Sequence, residues 1–295
     1  KKNILIFMAN IAIVFLLLNF VSFYFFLSKK IPLIIFILML LSAVSSGVIG
    51  VYALPISAFF ALNIYCFYQK KLSPKLHFLN FISIIILTLL SFAHLLPSIE
   101  NIELISNYNL SESNQNFSIW YNFDKPLIAI FMLLFAYVTP KSFGEYKNIV
   151  KNSLLIFICL AVMILLIGKL SGFLIYEVKN LNFSIFILWF FKNLFLTIFA
   201  EEFFFRFFLQ KNLADILQKT LPKFFNKKIL NPSIISIIII SIIFGILHLK
   251  MGIIFALIAI LASFGYGYAY YRTNYIESAI LVHFLINLCH FLFFK

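Results

Sequence analysis

Long uninterrupted stretches of apolar residues alternate along this chain with short polar punctuation. An apolar run of about eighteen or more residues can cross a hydrocarbon core of roughly 30 Å as a helix. Read this way, candidate spans cover residues 4–27, 31–50, 52–68, 78–97, 126–139, 152–170, 183–213, 232–248, 252–270 and 278–294, so that nine or ten crossings are predicted. A membrane β-barrel would instead show segments of roughly ten residues with alternating polarity. Residues 234–247 are apolar on every side except for serine and glycine, which fits a helix with all its backbone groups bonded internally. The pattern predicts an all-α fold, a polytopic transmembrane helical bundle.

Composition sharpens this reading. With 63% apolar and 11% charged residues and a mean hydropathy of +1.06, the 295 residues do not form a soluble domain. The net charge of +13 would raise the question of nucleic acid in a soluble protein, but here most lysines sit in short loops between spans. They read as topology signals, and no nucleic-acid partner is expected. Lys70, Lys71 and Lys75, then Lys141, Lys147 and Lys151, then Lys211, Lys219, Lys223, Lys227 and Lys228 mark loops predicted to be cytoplasmic. The polar segment 98–124 lacks Lys and Arg and carries Glu100, Glu103, Glu112 and Asp124, which suits the opposite side. These assignments alternate consistently for every span from residue 78 onward.

Several smaller signals fit the same picture. Residues 4–27 are too long for a signal-peptide core and end in Ser28-Lys29-Lys30, so they read as a retained first span. Cys66, Cys159 and Cys289 lie in or beside apolar runs without CxxC spacing and suggest neither a disulfide framework nor a thiolate metal site. Asn109 and Asn116 fit the glycosylation pattern, which a bacterial source would leave unused. Heavy use of Phe, Ile, Lys and Asn points to an AT-rich genome, hence a bacterial cytoplasmic membrane. His77 and His94, near span ends, and the aromatic residues around Trp120 and Tyr121 and from Tyr266 to Tyr271 read as interfacial.

Some polar residues interrupt the apolar runs at a cost. A charged side chain at mid-membrane is penalised by roughly 2.5–3.5 kcal/mol on insertion scales, so each calls for a reason. Three fall together in Ala200-Glu201-Glu202-Phe203-Phe204-Phe205-Arg206. At about 100° per residue, Glu202 and Arg206 share one helix face, where an ion pair offsets part of the burial cost. Glu201 points about 100° away from Glu202 and has the weaker claim on the guanidinium. Low dielectric strengthens a carboxylate's hold on a proton, the property a general base working near neutral pH needs. Taken alone, the stretch also reads as a helix end whose charges are solvated beside Gln210 and Lys211. Two later spans weigh against that. Phe244-Gly-Ile-Leu-His248 closes an apolar helix with a histidine, and His283-Phe-Leu-Ile-Asn287 places a histidine and an amide on one face of the last span. His290 lies on the same face two turns along and could extend a polar pocket.

Glu201-Glu202-x-x-x-Arg206, then Phe244-x-x-x-His248, then His283-x-x-x-Asn287, in this order on three apolar helices, resembles the three motifs of the CAAX protease and bacteriocin-processing (Abi) family of intramembrane proteases. Gly265, Gly267 and Tyr271-Arg272-Thr273 look like that family's small-residue lead into its third motif. The resemblance implies an eight-helix core, with 1–180 forming variable N-terminal helices and 181–295 the catalytic region. It further implies that Glu201 and His248 activate a water for attack on a peptide carbonyl, that His283 and Asn287 face the oxyanion, and that Glu202, Arg206 and Phe244 support them. The substrate it implies is a membrane-associated protein or peptide, reached from the cytoplasmic side of the lipid bilayer.

Cofactor expectations divide. Glu201, His248 and His283 could formally supply a His₂Glu zinc set. A cofactor-free glutamate mechanism is preferred, because the chain lacks a His-Glu-x-x-His helix and completes the cluster with Asn287, a poor Zn²⁺ ligand and a good oxyanion donor. Two further classes stay open: a proton-coupled transporter, against which the lack of internal repeats argues, and a non-catalytic scaffold or bacteriocin-immunity protein.

Overall fold

The computed structural model describes residues 2–26, 28–110, 116–177, 179, 181–220 and 231–294. Glu112, Lys223, Lys227 and Lys228, used above for topology, lie outside the described residues. Ten helices lie among them: α1 (Lys2–Phe25), α2 (Lys30–Ser46), α3 (Ala53–Gln69), α4 (Pro74–Phe92), α5 (Leu127–Phe135), α6 (Phe143–Leu170), α7 (Phe183–Thr220), α8 (Pro232–Leu247), α9 (Ile253–Thr273) and α10 (Ile276–Phe293). Six of these, α1, α4, α6, α7, α9 and α10, are long and apolar enough to cross a membrane, and α2, α3 and α8 are shorter apolar helices. The fold is an all-α polytopic membrane bundle.

Two departures from the sequence reading stand out. The span expected at 126–139 is the nine-residue α5, whose length of roughly 14 Å cannot cross a bilayer. It is buried almost all round, as a uniformly apolar helix must be when protein rather than lipid surrounds it. The polar segment 98–124 is also not simply a loop: β1 (Ile102–Asn109) and β2 (Asn116–Tyr121) pair antiparallel, with Glu103 opposite Trp120 and Tyr108 opposite Phe117.

The chain divides into two compact units. One comprises Lys1–Asn109, Asn116–Thr139 and Asn182–Ala200. Within it, buried Asn19 donates to the Pro32 carbonyl at 2.6 Å and Ser42 to the Met8 carbonyl at 2.9 Å, tying α1 to α2. The rings of Phe36 and Phe60 meet Phe131 of α5 edge-on. His77 stacks on Phe67 at 4.4 Å, and His94 Nδ1 lies 3.0 Å from the buried carboxylate of Asp124. Both histidines expected at the interface therefore have protein partners.

The other unit centres on residues 140–181 and 201–295. Ser142 caps α6 in a reciprocal box with Glu145. The Tyr275 phenol, in the turn between α9 and α10, donates to the Glu145 carboxylate, and that hydrogen bond is the main reason its pKa is pushed up to about 12. Small residues let the helices close on one another. A Cβ on Gly265 would strike Leu160 of α6, and one on Gly245 of α8 would lie 2.8 Å from the Ala256 carbonyl oxygen of α9. Gly265, expected as part of a motif lead-in, thus marks a helix contact.

Candidate active site

Helix α7 departs from regular α geometry on either side of its two glutamates. Phe199–Glu202 is α-helical, and π-type turns cover Lys192–Ile198 before it and Phe203–Gln210 after it. π turns are rare and recur at functional sites, because the extra residue per turn re-aims the neighbouring side chains. Here Arg206 lies in the second π stretch, and Glu201 and Glu202 sit in the α turn between the two.

Glu202 and Arg206 are fully buried, each with 0% exposure, and joined at 2.9 Å from Nε to Oε2. The guanidinium also donates from Nη2 to Ser263 Oγ of α9 at 2.8 Å and lies over the Phe244 ring of α8, 5.8 Å from its centroid. Nη1 has no hydrogen-bond partner. The second Glu202 oxygen, Oε1, accepts from His283 Nδ1 of α10 at 2.7 Å. One carboxylate thus bonds α7 to α10 and, through Arg206, to α9. Such a buried ion pair stands only because both oxygens are satisfied.

That bond fixes the imidazole. A carboxylate already held by Arg206 only accepts, so Nδ1 carries the proton and Nε2 is turned towards Glu201, whose Oε2 lies 4.0 Å away. At 4.0 Å the two are too far apart for a direct hydrogen bond, a separation that one bridging water can span. Glu201 is half-buried, in contrast to its fully buried neighbour. Tyr266 of α9 stacks flat on the imidazole, with centroids 4.2 Å apart and planes at 12°.

His248 forms the C-cap of α8, where the helix gives way to the short 3₁₀ turn Leu249–Met251. Its Nδ1 donates to the Phe244 carbonyl at 2.7 Å, which leaves Nε2 as its outward nitrogen. Phe244 links the two histidines: its ring stacks on His248 at 4.4 Å and meets His283 edge-on at 6.2 Å. Asn287 follows His283 one turn along α10 and is half-buried. The structure therefore brings Glu201, Glu202, Arg206, Phe244, His248 and His283 into one neighbourhood. His290, in contrast, is exposed.

Two members of this neighbourhood escape the sequence reading. Ser263 looks like any small residue of a packed helix, and Tyr266, expected in an interfacial belt, is only 2% exposed and covers His283. The one available signal is their spacing: Ser263, Tyr266 and Gly267 fall on adjoining faces of α9. Gly267 belongs to the same surface, because a Cβ there would lie 2.6 Å from the Gln210 side-chain oxygen.

As for a metal, no group of three or more His, Cys, Asp or Glu side chains placed to hold an ion occurs among the described residues. Glu201, His248 and His283 do not form a ligand cluster in this arrangement, and His283 Nδ1 is already committed to Glu202.

No curated protein and no solved structure matches the chain. Residues 182–289 match a family model described as type II CAAX prenyl endopeptidase Rce1-like, a stretch that holds all three motifs and every site residue named above. In its three-motif segment the chain is similar to that Rce1-like family of CAAX prenyl endopeptidases.

Proposed function

We propose that the chain is an intramembrane endopeptidase that hydrolyses a peptide bond of a membrane-associated protein or peptide. The observation that carries this reading is the pair of adjacent glutamates in different settings. Glu202 is locked between Arg206 and His283, while Glu201 stands 4.0 Å from His283 Nε2.

In this reading Glu201 is the general base. A water held by Glu201 and His248 gives its proton to Glu201 as its oxygen attacks the scissile carbonyl. The carbonyl π bond breaks and leaves an oxyanion, which His283 meets through Nε2 when protonated on both nitrogens, with Asn287 as second donor. Collapse of the tetrahedral intermediate breaks the C–N bond, and the leaving amine takes the proton back from Glu201. Glu202 keeps His283 in its orientation, Arg206 neutralises Glu202, and Tyr266 and Phe244 fix the ring from its face and edge.

The family's description names prenylated CAAX proteins as the substrate class, and we extend that to this chain as the first class to test. The lysine pattern supports a site opening toward the cytoplasmic face of a bacterial membrane. The deciding experiment reconstitutes the protein in liposomes with farnesylated and unmodified C-terminal peptides, beside membrane peptide profiles of cells carrying the wild type or Glu201→Ala. Cleavage that needs Glu201 supports the reading. Turnover unchanged in Glu201→Ala, or no Glu201-dependent product in either assay, would overturn it.

A further inference from the structure

Helices α3 and α4, joined by the tight turn 70–73, leave a groove between them in the N-terminal unit, remote in sequence from every residue of the candidate active site. Its cavity is about 350 Å³, within the range of roughly 300–1,000 Å³ that small-molecule sites occupy. Phe59 and Leu62 of α3 and Leu76 and Leu79 of α4 form its walls, and all four are strongly exposed. A single hydrocarbon chain suits such walls.

The groove also has polar features that a purely lipid-facing surface lacks. Asn63 and Asn80 line it and bond to one another at 2.8 Å, from Asn80 Nδ2 to Asn63 Oδ1. Asn63 spends a donor on the Phe59 carbonyl, and Asn80 Oδ1 is buried without a partner. Asn80 lies six residues into α4, roughly 9 Å below its start, and helical side chains lean towards the N-terminus, here towards the turn. At that turn stand Lys70, Lys71 and Lys75, all exposed. The groove is therefore apolar on both sides of the Asn63–Asn80 pair and positive at its mouth.

We infer that the α3–α4 groove is a binding site for an anionic phospholipid, with one acyl chain between Phe59, Leu62, Leu76 and Leu79 and the phosphate at the lysines. Phosphatidylglycerol has both the chains and the net charge; phosphatidylcholine has the chains without the charge. The inference stands apart from the peptidase reading.

Native mass spectrometry of the detergent-released protein, titrated with phosphatidylglycerol or phosphatidylcholine, tests it. Wild type should retain phosphatidylglycerol in preference to phosphatidylcholine. Each lysine near a membrane surface adds roughly fivefold to the binding of an anionic lipid, so Lys71→Gln/Lys75→Gln should weaken retention roughly thirtyfold. Leu79→Trp, which fills the groove, should abolish the preference, and Ile86→Trp, on the same helix and outside the groove, should keep it. Equal retention of the two lipids, or a preference unchanged in the lysine and Leu79→Trp variants, would refute the site.

Discussion

Arg206 is the residue on which the internal arrangement of the motif-bearing unit turns, and its truncation gives a sharp test. Arg206→Ala removes the 2.9 Å bond to Glu202, the 2.8 Å bond to Ser263 and the cation over Phe244. Glu202 keeps only its bond to His283 and sits at 0% exposure, so its charge has no route to water. Removing one partner of a buried pair typically costs about 3–5 kcal/mol. Because His283 still serves one oxygen, the lower end applies, about 3 kcal/mol, or roughly a hundredfold in the folded-to-unfolded ratio. Truncation also leaves a void, so Arg206→Met, which preserves bulk, separates the electrostatic loss from the packing loss.

The measurement is unfolding in mild detergent for wild type, Arg206→Ala, Arg206→Met and the double variant Arg206→Met/Glu202→Gln. Both single Arg206 variants should be destabilised. The double variant should recover a part, because no uncompensated charge is left behind. If Arg206→Ala unfolds within about 0.5 kcal/mol of wild type, as surface substitutions do, then the pair is solvated and the burial argument fails.

Other expectations follow from the same geometry. Glu201→Gln should abolish peptide cleavage and leave unfolding unchanged, since the amide is nearly isosteric and cannot take the water's proton; retained turnover would remove Glu201 as the base. Asn287→Ala should lower kcat by about 10²–10³-fold, as the loss of one oxyanion donor does, and an unchanged kcat would free Asn287 from that role. Exhaustive chelation should leave activity intact, whereas loss on chelation with recovery only on added Zn²⁺ would recast Glu201 and the two histidines as ligands. Gly245→Ala places a methyl 2.8 Å from the Ala256 carbonyl oxygen and should cost about 1–3 kcal/mol by overpacking, read as a lowered unfolding midpoint.

The helices were legible because membrane burial writes itself as unbroken apolar runs, which is why each predicted span contains a helix. Run length alone does not say whether lipid or protein surrounds a segment, and α5 shows the difference. The β1–β2 hairpin hides for another reason: its register shifts between Glu103 and Ile105 and again between Ile105 and Tyr108, which breaks the alternation that would announce a strand. The Glu202–Arg206 pair was legible from its spacing, since partners four apart meet on a helix. The Glu202–His283 bond joins residues 81 positions apart, and the Arg206–Ser263 bond joins residues 57 apart. No local period encodes either one.

Two adjacent carboxylates, identical in covalent structure, are made different by what surrounds them. Glu202 has 0% exposure and gives one oxygen to Arg206 and the other to His283, so neither is left to meet a substrate. Glu201 keeps 12% of its side chain exposed and faces His283 Nε2 at 4.0 Å. Pairs of like groups pushed apart by environment are how proteins separate a reacting residue from one that holds it in place. The same logic explains why the arginine belongs to the motif. Without a buried cation, Glu202 would be left at 0% exposure with one of its two oxygens unpaired, and its hold on the imidazole would weaken. In the proposed mechanism, a charge that contributes no chemistry of its own is then the condition for the chemistry next to it.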